Sequence, residues 1–299
     1  MFATAGTVAA VTRALVVGIG GIGGWLLARL SQNGADVTGW TRGATYERLA
    51  AGEPLKLVSH EGDWSGPVRV TADAPIEPYE LTFLCTKSMD TDTIGRQLPI
   101  GGVVVSVQNG IDNAETLRAL GHRAVATVVY SACERVGPTT IAHRSNGMLI
   151  TDDRTVATYL IDHGIAAKVT DDLRTALWRK LLANVVVNSF CALLRQPMGG
   201  LIDNPALVAP IRAVVAEVCA VARHEGADLP DDEADRWPQN LAGADPATRP
   251  STLQDVEAGR PLEVDALSGA VLRRADASGI ETPTLITIDA LLRAQSRRA

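Results

Sequence analysis

Arg13-Ala14-Leu15-Val16-Val17-Gly18-Ile19-Gly20-Gly21-Ile22-Gly23 opens as a short β-branched run and then turns on spaced glycines. Apolar residues from Ile22 to Gln32 follow at helical spacing, and Gly34 marks the stop. A strand, a glycine turn and a helix in that order begin a βαβ unit. In a Gly-x-Gly-x-x-Gly loop so placed, the first glycine permits the turn and the second lets the backbone approach a pyrophosphate. The third brings helix close to strand. Gly18, Gly20 and Gly23 hold those positions, with Ile19, Gly21 and Ile22 completing the loop. The anion would sit at the free N–H groups of the Ile22 helix. The bare pattern also fits an ordinary glycine-rich turn, so the flanking strand and helix are what favour dinucleotide binding.

Outward from this unit, strand candidates recur at Asp36–Gly39, Leu55–Ser59, Val68–Thr71, Leu81–Cys85, Val103–Val107 and Ala124–Tyr130. Turn or helical segments separate them, which favours a mostly parallel sheet covered by helices. Ile141–Ile150, interrupted by His143–Gly147, reads as a hairpin return, and Ala166–Val169 as a last strand. After Asp171 the strand signals cease. Asp172–Leu194, Pro205–His224, Glu233–Leu241 and the stretches after Ser251 and Pro261 have helical periodicity. The fold class is therefore α/β plus all-α: a Rossmann-type dinucleotide-binding domain over residues 1–171 and an all-helical substrate domain over 172–299. Thr170-Asp171-Asp172 marks the boundary, with acidic residues to cap the incoming helix.

Composition bounds the function. With 299 residues, 46% hydrophobic and 21% charged, the chain can build two globular cores. A formal net charge of −6 argues against a general nucleic-acid binder, which needs a concentrated basic face. No uninterrupted apolar run reaches the roughly 18 residues that span a bilayer, and the first twelve residues lack a secretory pattern, so we expect a cytoplasmic protein with no membrane partner. Cys85, Cys133, Cys191 and Cys219 are widely spaced and read as small buried hydrophobes, not as disulfides or metal ligands. No metal is expected. The oligomeric state is open, with a homodimer among the options.

Within the helical half, Lys180, Asn184 and Asn188 recur every fourth residue along Leu177–Asn188, a stretch otherwise apolar enough to be buried. Such residues share one helix face. A buried lysine must find partners or shift its pKa, and each unpaired buried amide costs about 1–3 kcal/mol. The stripe predicts a wall that holds a polar ligand, with Lys180 as proton donor.

Other candidates follow from position. The second strand ends Gly39-Trp40-Thr41-Arg42, with no acid for a ribose hydroxyl and an arginine available to a 2'-phosphate, which favours NADP over NAD. Lys87 and Gln108-Asn109-Gly110 follow two other strands, where ligands of parallel sheets collect. Pro250-Ser251-Thr252-Leu253-Gln254 resembles a capping box with Ser251 as N-cap, although that hydroxyl could also meet a substrate carboxylate. Glu263 begins a helix, where a carboxylate is favoured anyway. Were it to face Lys180, the pair would keep the ammonium charged.

Together these residues resemble the ketopantoate reductase family, the 2-dehydropantoate 2-reductases. The resemblance runs from Arg13 to about Ala290, through the glycine loop, Trp40-Thr41-Arg42, Thr86-Lys87, Gln108-Asn109-Gly110, Leu177–Asn188 and Ser251–Asp265. It implies NADPH as cofactor, held by Gly18–Gly23, Arg42 and Lys87. It also implies Lys180 as catalytic acid, assisted by Glu263. By the same resemblance Asn109 lies at the nicotinamide, and Asn109, Lys180, Asn184, Asn188, Ser251 and Glu263 bind a small 2-keto acid. The implied reaction is reduction of 2-dehydropantoate to pantoate, as in pantothenate and coenzyme A biosynthesis. Two departures concern the substrate: Pro197-Met198-Gly199 stands where family members often have Pro-Asn-Gly, and Thr248 where another substrate-side Asn occurs. The alternatives are a family reductase acting on a different 2-keto acid and a non-catalytic NADP(H) sensor.

Overall fold

The structure, a computed structural model, describes residues 12–145 and 147–296. The expectation drawn from the first twelve residues falls almost wholly outside them. The chain divides into two compact units. One comprises residues up to Thr86, Asp90–Gln108 and Ala114–Val169, and the other Lys87–Met89, Asn109–Asn113 and everything from Thr170 onward.

Strands of the first unit are β1 (Ala14–Val17), β2 (Val37–Trp40), β3 (Leu55–Ser59), β4 (Trp64–Gly66), β5 (Arg69–Thr71), β6 (Leu81–Leu84) and β7 (Val103–Ser106). They continue with β8 (Ala124–Ala126), β9 (Val128–Tyr130), β10 (Cys133–Gly137), β11 (Thr140–His143), β12 (Met148–Thr151) and β13 (Ala167–Val169). Between them run α1 (Gly21–Gln32), α2 (Gly43–Ala50), α3 (Thr91–Gly95), α4 (Asn113–Ala119) and α5 (Arg154–Asp162). The main sheet is six-stranded in the order β5-β2-β1-β6-β7-β8, and every pair is parallel. The order reverses direction beside β1, so the loop leaving β1 opens at the switch point where such sheets take ligands. All four residues of β1 are buried. Because alternate residues face opposite sides, Ala14 and Val16 join the core with Leu26, Leu27 and Leu30 of α1. Leu15 and Val17 join a second core with Leu117 of α4.

Two smaller sheets complete this unit, in the orders β10-β11-β3-β4 and β13-β12-β9. They correct the expected hairpin across Ile141–Ile150. β11 pairs with β10 and β3, whereas β12 pairs with β9 and β13, so the two halves of that segment belong to different sheets.

The second unit contains α6 (Leu173–Leu194), α7 (Gly199–Ile202), α8 (Val208–His224), α9 (Glu233–Ala242), α10 (Ser251–Glu257), α11 (Ser268–Ser278) and α12 (Pro283–Ser296), with no strand among its described residues. Asp172 caps α6, its carboxylate accepting from the Thr175 N–H at 3.0 Å. Trp178, Leu181, Leu182, Val185, Val186 and Phe190 of α6 form the spine of the core with Val214, Val215 and Val218 of α8. By length and composition alone, Leu173–Leu194 and Pro205–His224 are long and apolar enough to cross a membrane. Neither is an uninterrupted apolar run, because Lys180, Asn184 and Asn188 break the first and Arg212 and Glu217 the second. More than half of the first stretch is buried inside the protein, as in the core helix of a folded unit.

Candidate active site

In the first unit the site begins at the turn from β1 to α1. Gly18 has φ +87°, a left-handed value that favours glycine, and a Cβ there would lie 2.8 Å from Thr86 Cγ2. A Cβ on Gly23 would collide with the Gly18 carbonyl oxygen, so helix and turn touch through backbone. At Gly20 a Cβ would meet nothing within 4 Å. Gly20 is the N-cap of α1 and brings no side-chain cap, and the first turn, where Gly21 and Ile22 lie, holds no acid. Its leading N–H groups are left for a ligand. Ile19 is buried and anchors the loop in the core. This geometry fits a pyrophosphate.

Arg42 follows β2 as the N-cap residue of α2 and is exposed. Its guanidinium lies 5.8 Å from the centre of a Trp40 ring and donates to Gln97 Oε1 at 3.2 Å. Cation–π contact and hydrogen bond hold a positive charge at this strand end, whose residues Gly39-Trp40-Thr41 include no acid.

The second unit gathers most of the remaining candidates. The Lys87 ammonium donates to Asp255 Oδ2 at 2.6 Å and to the Pro261 carbonyl at 2.7 Å. Asp255 is buried, and Arg260 Nε also donates to it, at 2.8 Å. Arg42 and Lys87, expected on one cofactor, thus fall in different units with different partners. Glu263 Oε1 accepts from the Ser88 N–H at 2.8 Å and from the Ser88 hydroxyl at 3.0 Å. That hydroxyl also reaches the Asn109 carbonyl at 2.7 Å, and the Asn109 side chain accepts from Asn184 Nδ2 at 3.2 Å. Asn109, Asn184 and Glu263, far apart in sequence, are thereby tied together through Ser88, while Lys87, the residue before it, is held by Asp255 and the Pro261 carbonyl.

Along α6, Lys180 and Asn184 are half-buried and Asn188 is buried. Asn188 is among the few polar residues buried along this helix. Burial pushes the Lys180 ammonium below its ordinary value, because desolvation penalises the charged form. A lysine so placed is a stronger acid than one in water.

Ser251 corrects the capping-box reading. Pro250 is the N-cap of α10, and Ser251 is its first helical residue, exposed and making no cap bond. Gln254 Nε2 reaches the Arg249 carbonyl at 2.9 Å instead. The preceding proline sets the extended N-cap conformation without any hydroxyl. Met198 is buried, and its N–H donates to the Thr248 carbonyl at 3.0 Å, so the two departures from the family pattern are direct neighbours. Two residues with prominent contacts, Ser88 and Asp112, do not stand out in the sequence. Asp112 accepts from Arg273 at 2.7 Å and Arg274 at 2.6 Å, pinning the 109–113 loop to α11. Neither stands in a recognisable pattern; only their place just after a residue at a parallel strand's end could have drawn notice.

Residues 14–153 match the family model described as ketopantoate reductase PanE/ApbA, and residues 172–296 match that of its C-terminal part. The 2-dehydropantoate 2-reductase of Caulobacter vibrioides is 32% identical over 294 residues, covering 95% of this chain and 99% of its own. A PanE/ApbA family ketopantoate reductase from Ralstonia eutropha JMP134 superposes with a TM-score of 0.88 at 31% identity, covering 95% of this chain and 98% of its own. A D-mandelate dehydrogenase solved with NADH and anilino(oxo)acetate shares the fold, with a TM-score of 0.87 at 20% identity and coverage of 95% and 98%. With both family models matched in order and near-complete coverage of a relative over 30% identical, this chain belongs to the ketopantoate reductase family.

Proposed function

We propose that the chain reduces 2-dehydropantoate to pantoate with NADPH, as a cytoplasmic step of pantothenate biosynthesis. The observation that carries this reading is the Lys180-Asn184-Asn188 face of α6. It offers an ammonium of lowered pKa, an amide bonded to Asn109 and a second, buried amide. The glycine loop would hold the pyrophosphate and Arg42 the 2'-phosphate. Lys87 would have to exchange its Asp255 contact to reach the cofactor, so Arg42 carries the main weight. When bound, the cofactor supplies a hydride to the C2 carbonyl carbon.

As negative charge develops on the carbonyl oxygen, Lys180 stabilises it and delivers a proton from Nζ. Its lowered pKa makes that transfer to the alkoxide more downhill. Asn184 and Asn188 would donate to the carboxylate or hydroxyl of the 2-keto acid. Glu263, acceptor-only when ionised, would take a substrate hydroxyl. Ser251 stays in this proposal as an exposed hydroxyl at the start of α10, which packs on α6.

Steady-state assays with NADPH and NADH on 2-dehydropantoate test the reading. We expect NADPH-linked turnover, and in Lys180→Ala a loss of at least about a hundredfold in kcat with NADPH affinity changed less than about threefold. No NADPH oxidation with any 2-keto acid would defeat it. A second reading, a different and bulkier 2-keto acid, is favoured by the buried Met198 beside Thr248. It predicts a higher kcat/KM on a branched or aromatic 2-keto acid than on 2-dehydropantoate.

A further inference from the structure

Ser88 begins a short 3-10 turn after β6 and belongs to the helical unit together with Asn109, Asn184 and Glu263. Its backbone N–H donates to Glu263 Oε1, and its hydroxyl lies 2.7 Å from the Asn109 carbonyl and 3.0 Å from the same carboxylate oxygen. A serine hydroxyl has a single proton to give. Two acceptors compete for it, so the hydroxyl acts as a swivel between the Glu263 carboxylate and the Asn109 loop. The Asn109 carbonyl also accepts from Asn113 Nδ2 at 2.8 Å. With that second bond the loop keeps its shape when the Ser88 proton turns to Glu263.

We propose that Ser88 is a positioning residue of this reductase: its hydroxyl couples Glu263 to the Asn109 loop, so that carboxylate and amides present one fixed set of groups to the 2-keto acid. The inference rests on the reductase reading above. Ser88 need not touch the substrate. It acts through Glu263 directly, and through Asn109 on Asn184, and a binding set held to fractions of an ångström is what substrate orientation demands. Because the groups it orders bind the ground state as well as the transition state, KM takes the larger effect.

Ser88→Ala and Ser88→Thr, assayed beside the wild type, test this. Alanine keeps the backbone donor to Glu263 and leaves Asn113 on the Asn109 carbonyl, so the fold is retained. In Ser88→Ala, KM for the 2-keto acid should rise about tenfold and kcat fall less than about threefold, with NADPH affinity and Tm unchanged. Ser88→Thr, which keeps the hydroxyl, should return KM to within about twofold of wild type. An active wild type with an unchanged KM in Ser88→Ala overturns the inference alone. So does a threonine variant no better than alanine, or a parallel fall in NADPH affinity and Tm, which would mark a merely structural residue. A wild type inactive on every 2-keto acid overturns the reductase reading, and the inference with it.

Discussion

At the scale of the residue, Lys180 shows how far helical spacing reaches. The sequence places its side chain on a face with two amides, yet only the folded environment shows that burial has lowered its pKa. Local patterns cannot report desolvation, which depends on what the rest of the chain packs around the ammonium. The partner of Glu263 was illegible for a similar reason: its carboxylate meets Ser88, 175 positions away. As the proposed proton donor, Lys180 would act only while protonated, so kcat should fall as pH rises through its lowered pKa. The alkaline midpoint should therefore lie below the ordinary lysine value. Lys180→Arg keeps a cation that stays protonated throughout, so the alkaline limb should leave the accessible range even as turnover drops. Profiles of kcat against pH, carried from neutrality well into the alkaline range, check this. An unchanged midpoint in the arginine variant would assign the limb to another group.

Helices and strands differed in how legibly they were written. The β1 turn and α6 were readable because their signals are local: β-branched residues before glycines in one, periodic apolar residues after an aspartate cap in the other. Strand pairing is not local. β11 and β12 follow one another across a short polar break as a hairpin's strands would, but which neighbour each strand takes depends on segments far away in the chain, such as β3 beside β11. The polar stripe on α6 yields a prediction at this scale. A helix selected only for folding would gain from an apolar residue at position 188, where the amide is buried among apolar neighbours on the same helix. Asn188→Leu should leave stability unchanged or raise it by up to about 1 kcal/mol, while KM for the 2-keto acid rises about tenfold. Denaturant unfolding and steady-state kinetics on the same variant decide. Lost stability with intact kinetics would make Asn188 part of the scaffold.

Across the whole molecule, each unit has its own core and its own share of the proposed site residues, and the order of motifs along the chain predicts two domains. What composition could not show is that the short segments Lys87–Met89 and Asn109–Asn113, which follow β6 and β7, pack with the helical unit. Ion pairs from Asp255 to Lys87 and from Asp112 to Arg273 and Arg274 explain that allegiance. The proposed cofactor residues Gly18–Gly23 and Arg42 remain in the first unit, so NADPH should stabilise that unit by mass action. At a free concentration about a hundred times its Kd, a ligand of the folded state adds about 2.7 kcal/mol. For a unit of the size of the first one that corresponds to a rise in its Tm of roughly 5–10 °C. NADH lacks the 2'-phosphate, so at equal concentration its shift should be smaller. Arg42 is exposed and its hydrogen bond to Gln97 lies at the surface, which lets Arg42→Ala fold normally while removing the charge proposed to separate the two cofactors. Thermal melts should then show NADPH and NADH shifting this variant alike. If wild type already responds equally to both, the strand end after β2 does not read the phosphate, and the preference for NADPH fails while the dinucleotide loop stands.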